Sequence, residues 1–239
     1  MTEYIVDIGI ILIILMGGVI GIKEGGLKKL VSIIGFILVL VLSYKLKNYL
    51  SPIFFKYCPF FKFWKVIKGH QIINILFYEF LSFVIISSVL GIIYHIILTI
   101  TGIAEKILKA TIILSIPSKI IGFILGIVEE YILVFVILTI LTLPVFHIKY
   151  IENSKIANFI LDNTPILTKY TEKTREVYDG VYELVKNENE MTNAEVNKEA
   201  LILMLDNEII TVDSVDILVE KEKIELKEIA FLDKYRKEE

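Results

Sequence analysis

Cysteine, histidine and catalytic sequence motifs are scarce in this sequence. Cys58 is the only cysteine among 239 residues, which excludes an intramolecular disulfide and a zinc site built from cysteines. The three histidines, His70, His95 and His147, are isolated, and no two have the i, i+4 spacing of a zinc-binding helix. The sequence also lacks a P-loop, a dinucleotide-binding glycine fingerprint and a G-x-S-x-G nucleophile elbow. It therefore predicts a protein that is not an enzyme and that has no cofactor, no metal site and no catalytic residues.

Apolar residues are abundant, and charge is unevenly distributed. Hydrophobic residues make up 55% of the sequence and the mean hydropathy is +0.70, both outside the usual range of a soluble globular protein. Residues 1–150 contain 13 lysines and 7 acidic residues (net charge +6), whereas residues 151–239 contain 12 basic and 21 acidic residues (net charge −9). We therefore predict a transmembrane domain at 1–150 and an acidic, mainly helical, water-soluble tail at 151–239.

Four apolar runs are long enough to cross about 30 Å of hydrocarbon as helices. The third run is also long enough to tilt or to project beyond the bilayer. Their approximate bounds are Tyr4–Ile22, Leu27–Tyr44, Ile72–Ile100 and Ile120–Leu143. Together they predict an all-α, multi-pass integral protein of the cell (inner or plasma) membrane, with the lipid bilayer as its first partner and both termini on one side.

The segments between and after these runs have a different composition. Lysines and aromatic residues are interleaved in Lys45–Gln71, which favours a position at the lipid headgroups over nucleic-acid binding. Thr101–Lys119 has apolar residues at helical spacing and predicts a short amphipathic helix on the membrane surface, ended by Pro117. In the tail, Thr164-Pro165 is typical of a helix start. The acidic excess of the tail argues against DNA or anionic lipid as its partner and is compatible with a protein partner.

Polar side chains inside the predicted spans are the first group of candidate functional residues. A charge at the bilayer centre costs at least ~2.5 kcal/mol, so it tends to face a partner or a water-filled cavity. The group consists of Asp7, Glu79, His95, Glu129 and Glu130. Asp7 and Glu79 lie near helix ends, where their side chains can reach the interface. Glu129 and Glu130 lie about ten residues into the fourth span, where three states are open: protonation, pairing with a lysine, or lining of a pore.

Glycines are the second group of candidates. Gly122 and Gly126 have the small-xxx-small spacing that lets two helix backbones approach closely in lipid. Gly17, Gly21 and Gly25 allow the first helix and its turn to pack or bend in the same way. We predict that these two glycine faces pack against each other, or against the same faces of a neighbouring subunit in a homo-oligomer.

Three stretches of the sequence resemble the colicin V production (CvpA) family. They are GIKEGGLKKLVSIIG at Gly21–Gly35, SKIIGFILGIVEE at Ser118–Glu130 and SKIANFILDNTPIL at Ser154–Leu167. Together with Asp7, which fits an aspartate that family members often have early in the first helix, they extend the resemblance over about residues 1–170.

The sequence departs from the family pattern at four points. Glu24 stands where an arginine is common, and Lys29 stands where an acidic residue is usual. Ser118 stands where an aspartate is frequent, and Glu129-Glu130 stand where an Arg-Gly pair is usual.

The resemblance implies an inner-membrane protein without known catalytic residues, linked to colicin V production or export and to envelope maintenance. Some relatives carry an extracytoplasmic protease domain after the fourth span, which implies a tail outside the cytoplasm, whereas the lysine distribution favours cytoplasmic termini. The orientation therefore stays open. Two other functions fit the residues: a small oligomeric transporter or channel that uses Glu129, Glu130 and His95, and a membrane anchor whose acidic tail recruits a partner.

Overall fold

The computed structural model describes residues 2–61, 71–100, 115–143, 149–186 and 191–236, and in these ranges the chain forms helices and no strand. The all-α prediction is therefore confirmed, including the helical tail. The helices, numbered here in chain order, are α1 Thr2–Glu24, α2 Gly26–Tyr57, α3 Gln71–Ile100, α4 Ser115–Leu141, α5 Lys149–Glu152, α6 Lys155–Asp162, α7 Pro165–Lys186, α8 Asn193–Asp206, α9 Val212–Glu220 and α10 Leu232–Tyr235.

Four of these helices are long and apolar enough to cross a membrane. Their candidate spans are Tyr4–Glu24, Gly26–Tyr57, Gln71–Ile100 and Ile116–Leu141, with hydropathies of 2.1 to 2.7. These helices have apolar side chains on all sides rather than one polar face. This pattern is typical of a membrane helix, because lipid surrounds it where water would surround a helix of a soluble protein.

Two predicted boundaries differ from the structure. α2 does not end near Tyr44 but continues through Pro52 to Tyr57, so the first part of the predicted interfacial segment is helical. Pro117 does not end a preceding helix, because α4 already begins at Ser115. Proline is tolerated in the first turn of a helix, where backbone N–H groups have no intrahelical partner. The rest of the predicted amphipathic helix, residues 101–114, lies outside the described residues.

The chain divides into two compact units, and the first comprises Met1–Val41 and Ser88–Thr171. Its core forms where α1 and α4 meet α5 and α6. The apolar residues of α6 recur on one face, so this short helix buries them in the core and exposes its other side. The buried core residues are Ile10, Val134, Phe135, Leu138, Ile151, Ala157, Ile160 and Leu161.

The second unit comprises Leu42–Ser87 and Glu172–Glu239. Its largest fully buried side chains come from both segments and include Phe55, Ile72, Tyr78, Leu201, Met204 and Leu218. Neither unit is a continuous stretch of chain, since each combines part of α2 and α3 with a later segment. The predicted domain division near residue 150 stays a prediction, because helix packing alone does not mark where water begins.

Candidate functional site

The first feature of the candidate site is a glycine-lined contact between α1 and α4 in the first unit. A Cβ atom added to Gly21 would lie 1.9 Å from the carbonyl oxygen of Gly122, and one added to Gly122 would lie 2.2 Å from that of Gly21. One turn away, a Cβ on Gly126 would lie 2.1 Å from the Gly17 carbonyl oxygen. Real Cβ atoms do not approach other atoms so closely, so these two helices touch backbone to backbone and only glycine fits.

The link between α1 and α2 uses glycine for a second reason. Gly25 has a φ of 80°, in the left-handed region that residues with a Cβ rarely adopt. This conformation separates α1, which ends at Glu24, from α2, which begins at Gly26, and the Gly26 N–H donates to the Ser118 hydroxyl at 3.1 Å. The backbone of Gly25 also lies 3.0 Å from the position of a Cβ on Gly122. The link is thereby attached to the start of α4.

A buried ion pair joins α2 to α4 next to this contact. The Lys29 ammonium binds one carboxylate oxygen of Glu129, and the Ser32 hydroxyl donates to the other at 2.5 Å. The Lys29 and Glu129 side chains are only 6% and 15% exposed. Glu24, at the end of α1, lies 3.3 Å from the same ammonium. The sequence left protonation, pairing with a lysine and lining of a pore open for Glu129. In the structure, Glu129 is paired with a lysine.

Two further polar candidates of the first unit's spans, Glu130 and His95, occupy different surroundings. Glu130 is half-buried, and its side chain fills the space beside Gly17, where an added Cβ would lie 2.1 Å from the Glu130 Cγ. His95 is exposed on α3 and does not belong to the Lys29–Glu129 cluster. Its neighbour Tyr94 packs over Gly35 and donates to the Val31 carbonyl at 2.8 Å.

Asp7 connects α1 to the start of α6. Its Oδ1 accepts from the Ser154 hydroxyl at 2.5 Å and from the Ile156 N–H at 3.2 Å. Ser154 is itself the N-cap of α6, since its hydroxyl oxygen accepts from the Ala157 N–H at 3.0 Å. A carboxylate beside a helix N-terminus stabilises the free N–H groups and the positive end of the helix dipole. Asp7 is therefore bound by protein groups at the start of α6.

Glu79 lies in the second unit and is almost fully buried. Its Oε2 is 2.6 Å from the Lys47 ammonium, and the two side chains are 2% and 5% exposed. Lys47 also donates to the Ile209 carbonyl at 2.6 Å. One oxygen of this buried carboxylate is therefore bound by a buried lysine, and the position of Glu79 relative to the membrane interface stays a prediction.

Sequence reasoning missed the partners of these acidic residues, which are Lys29, Ser32, Lys47 and Ser154. A usable signal existed for Lys29 and Ser32, since residues three apart share a helix face and both stand in an otherwise apolar stretch of α2. No comparable local signal pointed to Lys47 or Ser154. In the part of the chain that the structure describes, no group of three or more His, Cys, Asp or Glu side chains has the arrangement of a metal site.

The fold and these contacts define a helical membrane protein whose first and fourth apolar helices are in backbone contact. Comparison with known proteins gives the particular family: the sequence matches the model described as colicin V production protein over residues 6–165, and the chain belongs to that family. No curated protein and no solved structure matches it. The matched range contains Asp7, all five candidate packing glycines, Lys29 and Glu129, so the whole site of the first unit lies in the family region.

Proposed function

We propose that this chain is a non-enzymatic, multi-pass protein of the bacterial inner membrane that supports the production or secretion of a colicin V-type peptide toxin and maintenance of the envelope. The observation that carries the proposal is the family match, which runs from residue 6 to residue 165 and so covers nearly all of the four apolar helices α1 to α4. The tail beyond residue 165 is outside this match.

The contacts of the site support a structural role for its polar residues. Glu129 has both carboxylate oxygens bound, one by Lys29 and one by Ser32, and Asp7 caps α6. The glycine contact leaves no space between the backbones of α1 and α4. These features favour a rigid scaffold for a partner over a group that changes its charge during a reaction.

A small transporter or channel is the second candidate, because the Lys29–Glu129 pair lies within apolar helices, where charges often mark ion pathways. The two functions differ in a direct measurement. Purified protein in liposomes should give the same flux as empty liposomes for a panel of ions and peptides if it is a scaffold. A flux that depends on Glu129 would favour the transporter.

Complementation of a deletion strain tests the leading proposal. The strain should lose toxin export and tolerance of detergent stress, and wild-type protein should restore both. Gly122→Ala should fail to restore them, because its Cβ would lie 2.2 Å from the Gly21 carbonyl oxygen, whereas Gly9→Ala and Gly91→Ala should restore them, since nothing lies within 4 Å of their Cβ positions. Unchanged export and unchanged stress tolerance in the deletion strain would contradict the proposal.

A homo-oligomer is compatible with this function, but its subunits would have to meet through a surface other than the glycine faces of α1 and α4. The glycine faces of α1 and α4 are occupied by each other within one chain. The exposed apolar side chains of α1, which include Ile5, Leu12 and Met16, face away from this contact and are available to lipid or to a second copy.

A further inference from the structure

The lengths of α2 and α3 exceed what a bilayer needs. With 32 and 30 residues they extend about 48 Å and 45 Å, against a hydrocarbon thickness of about 30 Å. To fit α2 entirely inside the hydrocarbon would require a tilt of about 50°, beyond the range of roughly 0–40° found for membrane helices. Part of each helix must therefore lie outside the hydrocarbon.

The parts that lie outside can be identified from what covers them. In the second unit, the C-terminal segment binds the residue after α2 and the beginning of α3 through buried and part-buried polar contacts. The Tyr178 hydroxyl donates to the Leu76 carbonyl at 2.9 Å, and burial raises the pKa of this phenol, so it stays a donor. Lys223 donates to the Cys58 carbonyl at 3.1 Å. The amide of Asn197 donates to the side-chain oxygen of Gln71, also at 3.1 Å.

The C-terminal segment cannot be surrounded by lipid tails. It has exposed ion pairs on its surface, Lys198–Glu228, Lys227–Glu195 and Arg236–Asp216, at 2.6, 3.0 and 2.6 Å. Exposed charges of this kind need water. Since this segment packs directly against the end of α2 and the beginning of α3, those parts of the two helices belong to the same water-exposed body.

Burial along α3 and the contact of Lys47 on α2 place the boundary at matching positions. On α3, most side chains from Ile72 to Ser82 are buried, and the large exposed apolar side chains begin at Val84. On α2, Tyr44 and Lys45 are exposed, whereas Lys47 is buried and donates to the Ile209 carbonyl of the C-terminal segment; further along, Tyr49, Ile53 and Tyr57 are exposed as well. The remaining apolar parts, Leu27–Tyr44 and Val84–Ile100, are about 18 and 17 residues long, or about 27 and 26 Å, and both approach the thickness of the hydrocarbon.

We propose that the described residues of 45–61, 71–81 and 172–236 fold into one water-exposed body, and that α2 and α3 cross the bilayer only with Leu27–Tyr44 and Val84–Ile100. The surface of this helix pair that projects from the membrane is thus occupied by the chain's own acidic tail. The tail lies beyond the family match, which ends at residue 165. This inference does not depend on the proposed function.

The arrangement also limits the number of crossings. α3 and α4 separate residues 45–61 from the tail in the sequence, yet the two meet in one body. They can meet only on one side of the membrane, so α3 and α4 either both cross or both fail to cross. Because both are apolar and long enough, both cross.

Lys47 connects the three parts of this water-exposed body. Its ammonium binds Glu79 on α3 and the Ile209 carbonyl between α8 and α9, each at 2.6 Å. One buried cation thereby connects α2, α3 and the tail. Removal of Lys47 leaves the Glu79 carboxylate buried without its counter-charge, which is strongly destabilising.

Cysteine labelling in membranes open on both sides tests the proposed boundary, with Cys58 replaced by serine. Tyr49→Cys and Tyr57→Cys should react with a membrane-impermeant maleimide, whereas Leu38→Cys and Ile92→Cys should react only after detergent is added. All four positions are more than half exposed in the fold, at 78%, 72%, 53% and 61%, so protection can come only from lipid. Protection of Tyr49→Cys and Tyr57→Cys until detergent is added would overturn the proposal.

A second measurement tests the attachment of the tail. Val181 is fully buried, so Val181→Cys should react slowly in intact protein. Adding Lys47→Met should raise its labelling rate by more than about tenfold, because breaking a buried ion pair opens the body. Lys45→Met, an exposed lysine of the same helix, should leave the rate unchanged. Fast labelling of Val181→Cys with Lys47 present would show that the tail is not docked in membranes.

Discussion

Lys29 and Glu129, 100 positions apart in the sequence, form a buried ion pair that joins α2 to α4 beside the contact of α4 with α1. Two separate contacts therefore hold α4, one made by glycine backbones and one made by opposite charges. Removal of one partner of a buried ion pair destabilises the protein more than removal of both, because the remaining charge is then buried without an opposite charge. This asymmetry is testable.

Substitution of Lys29 by methionine should destabilise the protein by about 3–5 kcal/mol, the usual cost of leaving one member of a buried ion pair unpaired. Glu129→Met should cost less, because Lys29 keeps Glu24 at 3.3 Å. The double variant should be more stable than Lys29→Met alone. Thermal unfolding of the purified protein in detergent measures all three.

Lys28→Met is the matched control for this series. Lys28 is adjacent to Lys29 in α2 and is paired with Glu24 at 2.8 Å, but its side chain is 44% exposed. An exposed pair contributes about 0–1 kcal/mol, so this variant should unfold close to the wild type. If the cost of the double variant instead equals the sum of the two single costs, Lys29 and Glu129 do not stabilise each other.

Replacement of Asp7 by alanine should loosen α6. The carboxylate accepts from Ser154 and from the Ile156 N–H, and loss of a helix cap costs about 1–2 kcal/mol. Cleavage by trypsin after Lys155, at the first residue of α6, should therefore become faster than in the wild type. Asp162→Ala, an exposed carboxylate at the other end of the same helix, should not change the cleavage rate. Equal cleavage of all three proteins would exclude a capping role for Asp7.

The features predictable from the sequence are those that a short segment encodes. Apolar runs of membrane length predicted α1 and α3 closely, and a four-residue glycine spacing pointed to Gly122 and Gly126 as a contact surface. Helix ends were less predictable, since α2 continues past Lys45 for reasons outside its own composition. The C-terminal segment contacts that part of α2 through Lys47, and Phe55 there is fully buried, whereas Tyr49, Ile53 and Tyr57 stay exposed.

Charge partners could not be predicted because they depend on tertiary packing. The sequence indicates that Glu79 and Glu129 need compensation inside apolar helices. It does not indicate which of 13 lysines in residues 1–150 supplies it. Lys47 and Lys29 are selected by the fold, at separations of 32 and 100 residues. The same holds for Asp7, whose partner Ser154 is 147 residues away.

Glu195 should titrate far below an ordinary glutamate. It forms a capping box at the start of α8, where the Thr192 N–H donates to its carboxylate at 2.8 Å, and Lys227 binds it at 3.0 Å. Chiefly the backbone hydrogen bond from Thr192, and then Lys227, lower its pKa to about 2. Its contribution to stability is therefore present above about pH 4, the range of the unfolded glutamate, and is lost as the pH falls toward 2.

Carboxyl NMR of the protein in micelles measures this titration. Lys227→Gln should raise the midpoint of Glu195, because it removes one of the groups that stabilise the charged form. Lys198→Gln, which removes another surface ion pair, with Glu228, should leave it unchanged. A wild-type midpoint near 4 would mean that the capping box does not form.

The contact between α1 and α4 separates glycines that should not tolerate replacement by alanine from glycines that should. Gly21→Ala and Gly126→Ala should destabilise the protein, because their Cβ atoms would lie 1.9 and 2.1 Å from facing carbonyl oxygens, and relief requires the helices to separate. Gly9→Ala in α1 should instead be neutral or slightly stabilising, since nothing lies within 4 Å and alanine favours a helix over glycine by about 0.5–1 kcal/mol. Thermal unfolding in detergent and the amount of protein retained in membranes should separate the two groups. Equal tolerance of alanine at Gly9, Gly21 and Gly126 would mean that α1 and α4 do not touch in the membrane.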